Sequence, residues 1–176
     1  MSPRRTVVLA ATFAILVAYF LVFEGITIEA PPPEWQRAEK ILACPAGGLM
    51  ELSVSGPRGT LSAERAAEGW MLSPEPAAGQ AARAAVDSLA AALCELPVID
   101  AIEEIASLRD FGLEPPPIEI RAVSGHWKAA LFLGDYTPAR NLLYARRDGH
   151  PGVLKVGALL RAEVDKALAH AGPAVD

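Results

Sequence analysis

Residues 6–23 (TVVLAATFAILVAYFLVF) carry no charged side chain. As a helix rising about 1.5 Å per residue, the run would extend about 27 Å, enough to cross the hydrocarbon core of a bilayer. Arg4 and Arg5 precede it, and Glu24 and Glu29 follow it. The positive-inside rule then puts the N-terminus in the cytoplasm and the chain beyond the run outside. Tyr19, Phe20 and Phe23 gather toward the outer end, where an aromatic belt lies. A cleaved signal peptide is the rival reading. Signal cores are shorter as a rule, and the following FEGITIEAPPP has no clear small-x-small site near the apolar end. The expectation is an uncleaved anchor. Within it, Ala11, Ala14 and Ala18 share one helical face at spacings of three and four. Small residues so placed let helices approach closely in lipid, although alanine is frequent throughout this chain.

The remainder is enough for one domain with a core and too short for two, at about 145 residues. The mean hydropathy of +0.26 is high for a soluble domain, and the apolar run accounts for the excess. All 21 acidic residues follow the run, against 14 of the 16 basic ones, a net of about −7 for the outer part. That sign repels phosphate backbones, so nucleic-acid binding is excluded as a working reading. Arginine outnumbers lysine 12 to 4 and alanine is abundant, which points to a GC-rich bacterial genome. The expected organisation is a cytoplasmic N-terminus and transmembrane anchor over 1–28, a proline-rich linker over 29–36, an extracytoplasmic domain over 37–172, and a tail over 173–176. The EAPPP of the linker is a stiff, extended spacer. The location implied is the bacterial inner membrane with the domain in the periplasm.

Hydrophobic periodicity sets the fold class. Met50, Leu52 and Val54 alternate with Glu51 and Ser53, and Gly56-Pro57-Arg58-Gly59 is turn chemistry. Strands are expected again over 60–64 and 69–72. Ala82, Val86, Leu89 and Leu93 recur at helical spacing over 79–95, with Arg83 and Asp87 on the other side and Pro97 as the stop. A short strand over 98–102 follows, then a rigid corner over 111–117. Ile118, Ile120 and Ala122, then Trp127, Ala129, Leu131 and Leu133, alternate about a Ser124-Gly125 turn as a hairpin. A second hairpin joins 142–146 to 153–156, and a final helix over 158–171 buries Leu160, Val164 and Leu168. Strands mixed with two separated amphipathic helices, without βαβ alternation, predict an α+β domain with antiparallel sheet.

The order of motifs carries a resemblance. Gly69-Trp70 is followed by Pro74, then by the helix and by Phe111-Gly112-Leu113-Glu114-Pro115-Pro116; later come Leu131-Phe132-Leu133-Gly134 and Tyr144-Ala145-Arg146. From about Leu42 to Ala171 the chain resembles domain-of-unknown-function family 4340. The resemblance implies an extracytoplasmic, membrane-anchored domain, in some members accompanying ABC transporters of the gliding-motility type. It supplies no catalytic residues. The C-terminal Ala-Gly-Pro-Ala-Val-Asp departs from the family's usual ending, and there is room for one copy where many members have more.

The remaining candidates for chemistry have plain readings. Cys44 and Cys94 are the only cysteines; an extracytoplasmic setting permits a disulfide, while Cys94 on an alanine- and leucine-rich helix also reads as a small buried hydrophobe, the reading favoured here. His126, His150 and His170 are scattered without metal-ligand spacing. The serines lack a nucleophile elbow. Asp135 and Tyr136 are expected to begin a turn with Thr137-Pro138, and adjacent Glu103 and Glu104 point apart. In the corner, Gly112 supplies a positive φ while Phe111 and Leu113 plug the core. Trp70 is expected in the core, with nothing titratable grouped near it. No cofactor or metal is called for. The expectation is a non-enzymatic accessory domain that binds a membrane-protein partner, with ABC-transporter subunits the partner suggested by the resemblance. The alternative is an envelope ligand-binding or sensor module using the loop over 136–140.

Overall fold

Alternating side chains after residue 48 build one antiparallel sheet, whose apolar side is closed by the two amphipathic helices. The computed structural model describes residues 39–171 except 43, 46, 74–78 and 126, together with Thr12, Phe13 and Leu16. The chain divides into two units, Met1–Arg37 and Ala38–Asp176. In the first, Thr12, Phe13 and Leu16 are helical. The rest of the expected anchor, with Ala11, Ala14 and Ala18, the linker and Pro74 lie outside the described residues. Among the described residues no helix is long and apolar enough to cross a membrane.

The second unit is α+β. Its described strands are β1 (Leu49–Gly56), β2 (Gly59–Ala66), β3 (Gly69–Ser73), β4 (Val98–Ile102), β5 (Ile118–Ser124), β6 (Trp127–Tyr136), β7 (Leu142–Arg147) and β8 (Val153–Gly157). Helix α1 spans Gly79–Glu95 and helix α2 spans Leu159–Leu168. The sheet order is β3-β2-β1-β5-β6-β7-β8-β4, and every neighbouring pair is antiparallel. Two meanders, β1 to β3 and β5 to β8, meet at the β1–β5 pair. Between them α1 carries the chain from one sheet edge to the other, where β4 forms the last strand. Helix α2 returns to pack beside α1 and over β1 and β2.

Period-two alternation places Leu52, Val54, Ile118, Ile120, Leu131 and Leu133 under the helices, where α1 contributes Val86, Leu89 and Leu93 and α2 contributes Leu160, Val164 and Leu168. One expectation fails at the start of β1. Pairing with β5 shifts between Leu49 and Glu51, so Leu49 turns inward and Met50 is 57% exposed. A single extra residue in one strand reverses the face of what precedes it. Strand β6 also runs through Asp135 and Tyr136, two residues into the expected turn.

Residues 39–44, where the chain enters the domain, are fastened at several points. Lys40 bridges to Pro97; Ile41 N donates to Leu96 O at 2.9 Å, and Val98 N donates to Glu39 O at 2.8 Å. Arg147 donates to Ile41 O at 3.0 Å and to the Glu39 carboxylate at 2.9 Å. Ile41 and Leu42 are buried, and Cys44 is disulfide-bonded to Cys94 of α1. Both cysteines are buried as the hydrophobic reading requires, but they are joined, which corrects the preference for unpaired thiols. The crossover of α1 brings together two positions whose proximity no local pattern encodes.

Candidate functional site

The sheet's second face, opposite the helices, is divided in two. Over β6 and β7 it is covered by a strap, the segment between β4 and β5. The Ser107 hydroxyl accepts from Arg109 N at 3.2 Å and starts a short 3-10 helix, Leu108–Phe111. Gly112 follows at φ +66°, a left-handed conformation that glycine adopts without steric cost. Its N–H donates to Arg109 O at 3.1 Å, and Leu113 N donates to Leu108 O at 3.0 Å. The strap is therefore tied internally before it meets the sheet. Glu114, Pro115 and Pro116 then lead it into β5, with a cis bond between Glu114 and Pro115.

Two glycines allow the close approach. A Cβ on Gly134 would run into the carbonyl oxygen of Phe111 and lie 3.0 Å from Leu113 Cγ. A Cβ on Gly112 would lie 2.5 Å from the carboxyl carbon of Asp135. The Phe111 ring stands edge-on to Tyr144, with centroids 4.9 Å apart. Motifs separated in sequence thus meet: Phe111, Gly112, Leu113, Gly134 and Tyr144 form one contact. Leu113 is 4% exposed but lies outside the cluster under the helices, so Phe111 and Leu113 cover the second face rather than plug the main core. Replacing Gly134 with alanine is expected to lower stability by about 1–3 kcal/mol, because backbone must move to make room. Urea denaturation measures this, and an unchanged midpoint would show that the strap does not rest on Gly134.

Over β2, β1, β5 and β6 the same face is an open groove of about 700 Å³. Its side chains stand in rows fixed by the register. Thr60, Ser55, Glu119 and Phe132 form one row, Ser62, Ser53, Arg121 and Ala130 the next, and Glu64, Glu51, Val123 and Lys128 the third. Thr60 donates to Ser55 at 3.2 Å, the Ser53 and Ser62 hydroxyls are 3.3 Å apart, and Arg121 pairs with Glu119. A polar outer face is the usual condition of an antiparallel sheet covered on one side. Among the described residues no group of His, Cys, Asp and Glu is arranged to hold a metal. Glu103 and Glu104 are exposed, and His126 lies outside the described residues.

The loop over 136–140, proposed by the alternative reading as a ligand loop, closes on itself. Thr137 N donates to Leu142 O at 2.9 Å, Arg140 N to Thr137 O at 2.8 Å, and the Arg140 guanidinium sits 5.8 Å from the Tyr136 ring centroid. Trp70 is buried, as expected, but it has titratable neighbours that the sequence did not reveal. Its indole N–H donates to the Asp87 carboxylate at 3.1 Å; Arg65, directly across from it on β2, pairs with the same oxygen at 3.0 Å and lies 5.1 Å from the Trp70 ring centroid. The hydrogen bonds from Arg65 and Trp70 hold the Asp87 carboxyl below its ordinary pKa. At the β4 edge, the Lys155 ammonium does the same for Asp100, and Asp100 raises the pKa of Lys155 in return.

An antiparallel sheet with helices on one face and a glycine-seated strap on the other defines a small α+β domain in which the motif residues Phe111, Gly112, Leu113, Gly134 and Tyr144 build the strap contact. The sequence profile of a domain of unknown function (DUF4340) matches residues 73–170, and the chain belongs to that family. No curated protein and no solved structure matches the chain.

Proposed function

We propose that the protein is a single-pass, non-enzymatic accessory component of the bacterial inner membrane, whose extracytoplasmic domain works beside a membrane-protein partner. The observation that carries this reading is the bond between Cys44 and Cys94. Disulfides persist in oxidising compartments and are rare in the cytosol. The bond therefore supports the same side of the membrane that Arg4 and Arg5, ahead of the apolar run, assign to the domain. The fastening of residues 39–44 supports a positional role, since the chain arriving from the anchor enters the domain at a fixed point. Subunits of an ABC-type transporter are the partner class in this reading. Ala11, Ala14 and Ala18 would give the anchor a face for close helix contact, and the EAPPP spacer would keep the domain at high effective concentration beside its partner.

The test uses the full chain with a periplasm-active reporter after Asp176. The mature protein is expected to keep its N-terminus, the reporter to be active outside, and transporter subunits to co-purify from gently solubilised membranes. Loss of the first ~25 residues, or a reporter active only in the cytoplasm, would end the anchoring reading. Purification without any membrane-protein partner would end the accessory reading. A chain with residues 6–23 replaced by an unrelated span is expected to lose partners; if it keeps all of them, the helix is only a tether.

A further inference from the structure

Beside the strap contact lies a cleft of about 380 Å³ between the strap and the turn joining β7 to β8. Its volume falls in the range of small-ligand sites. Ile105, Leu108 and Pro151 supply apolar wall, and three side chains of distinct chemistry line it: Glu114 from the strap, Arg146 from β7 and His150 from the turn.

Arg146 shares a face of β7 with Tyr144, which meets the strap, and stands across from Phe132 of β6. It is partly buried, and among the described residues its guanidinium makes no hydrogen bond or ion pair. Its sequence neighbour Arg147 is paired with Glu39, and Arg121 on the same sheet face is paired with Glu119. The guanidinium reaches solvent and holds no partner, so it is available to an anionic group entering the cleft. Glu114 lines the same cleft, yet the two opposite charges do not pair with each other. His150 adds an imidazole to the same wall; its Nδ1 lies 3.1 Å from Gly152 N and 3.4 Å from Gly152 O, so the turn holds the ring through that nitrogen.

We propose that this cleft binds a small zwitterion, a free α-amino acid or short peptide, with its carboxylate on Arg146 and His150 and its ammonium on Glu114. A phosphate dianion would meet the like charge of Glu114. An apolar ligand would bury Arg146 and Glu114 without satisfying either. A molecule carrying both charges satisfies both, and the planar guanidinium matches a carboxylate in two-point geometry. The inference does not depend on the membrane anchor or on a transporter partner.

The test is calorimetric titration of the full chain in nonionic detergent with alanine and alanyl-alanine. The controls are N-acetylalanine and alanine amide, each lacking one charge, and acetate and inorganic phosphate. Saturable binding of alanine or alanyl-alanine is expected with a dissociation constant of about 1 mM or below, and the tighter of the two identifies the length of ligand. The singly charged controls, and the variants Arg146→Gln and Glu114→Gln, are each expected to bind at least about tenfold more weakly. Arg146→Gln should melt with the parent protein, since Arg146 supports no contact through its charge. No saturable binding up to about 10 mM overturns the proposal. So does phosphate or acetate binding as tightly as alanine, or binding that both substitutions leave intact.

Discussion

Reducing the bond between Cys44 and Cys94, or replacing both residues with alanine, is expected to remove about 4 kcal/mol of stability, a large share of what a domain of this size has. The figure follows from the 50-residue separation of the cysteines, which lets the cross-link exclude many unfolded conformations. The loop it closes contains β1, β2, β3 and α1, one meander and the helix that crosses the sheet. Its opening frees the entry segment at its C-terminal end only. The bridge of Lys40 to Pro97 and the hydrogen bonds from Arg147 still hold residues 39–41. The reduced domain should therefore keep its sheet at low temperature and unfold at lower denaturant. Urea titrations with and without reductant, followed by circular dichroism, measure the difference. Midpoints that agree in the two conditions would mean that the bond is either unformed or energetically idle.

The helices and hairpins were legible because each is written in one short stretch of sequence. Ala82, Val86, Leu89 and Leu93 define α1, and all four are buried. The alternation on both sides of Ser124-Gly125 gives the β5–β6 hairpin, whose register pairs Ile120 with Leu131 and Ala122 with Ala129. What local pattern does not encode is which strands become neighbours. β4 follows α1 in sequence and lies at the far edge of the sheet, paired with β8. No residue of β4 announces that partner.

The strap shows a second limit. Phe111 and Leu113 are apolar, so burial was legible, but hydrophobicity carries no direction. The two residues cover the face opposite the helices, and the sign of that arrangement is Gly134, whose missing side chain is meaningful only once Phe111 is known to lie above it. The cleft residues are still less accessible to sequence reasoning. Glu114, Arg146 and His150 come from three separate segments; Glu114 and Arg146 stand in motifs that carry the resemblance, but nothing in those motifs brings them to one cleft. The relation among Arg65, Trp70 and Asp87 was hidden in the same way. The register of β2 against β3 puts Arg65 opposite Trp70, and α1 then delivers Asp87 to both.

Trp70→Ala is expected to destabilise the domain by about 3–5 kcal/mol, the range for deleting a large buried aromatic side chain. Trp70 is 4% exposed, belongs to the core cluster, and joins the edge strand β3 to α1 through Asp87. Truncation would leave a cavity beneath α1 and take from Arg65 the ring beside it. Trp70→Phe separates the two contributions. It keeps most of the packing and removes only the indole donor, so it should cost about 1 kcal/mol, as expected for one hydrogen bond, plus a small packing loss. The Asp87 carboxyl supplies an independent check through pH. Its pKa is lowered in the folded domain from the ordinary value of 3.8, so its contribution is complete above that value and is lost as pH falls through the lowered one. The Asp87 side chain is 66% exposed, and solvent keeps this contribution small. Asp87→Asn should therefore flatten the acid limb of the stability profile while leaving most of the stability at neutral pH. Thermal melts of Trp70→Ala, Trp70→Phe and Asp87→Asn between pH 7 and about pH 3 distinguish these effects. If Trp70→Ala melts with the parent protein, the indole is not buried in solution, and Trp70 becomes a surface residue available to a partner.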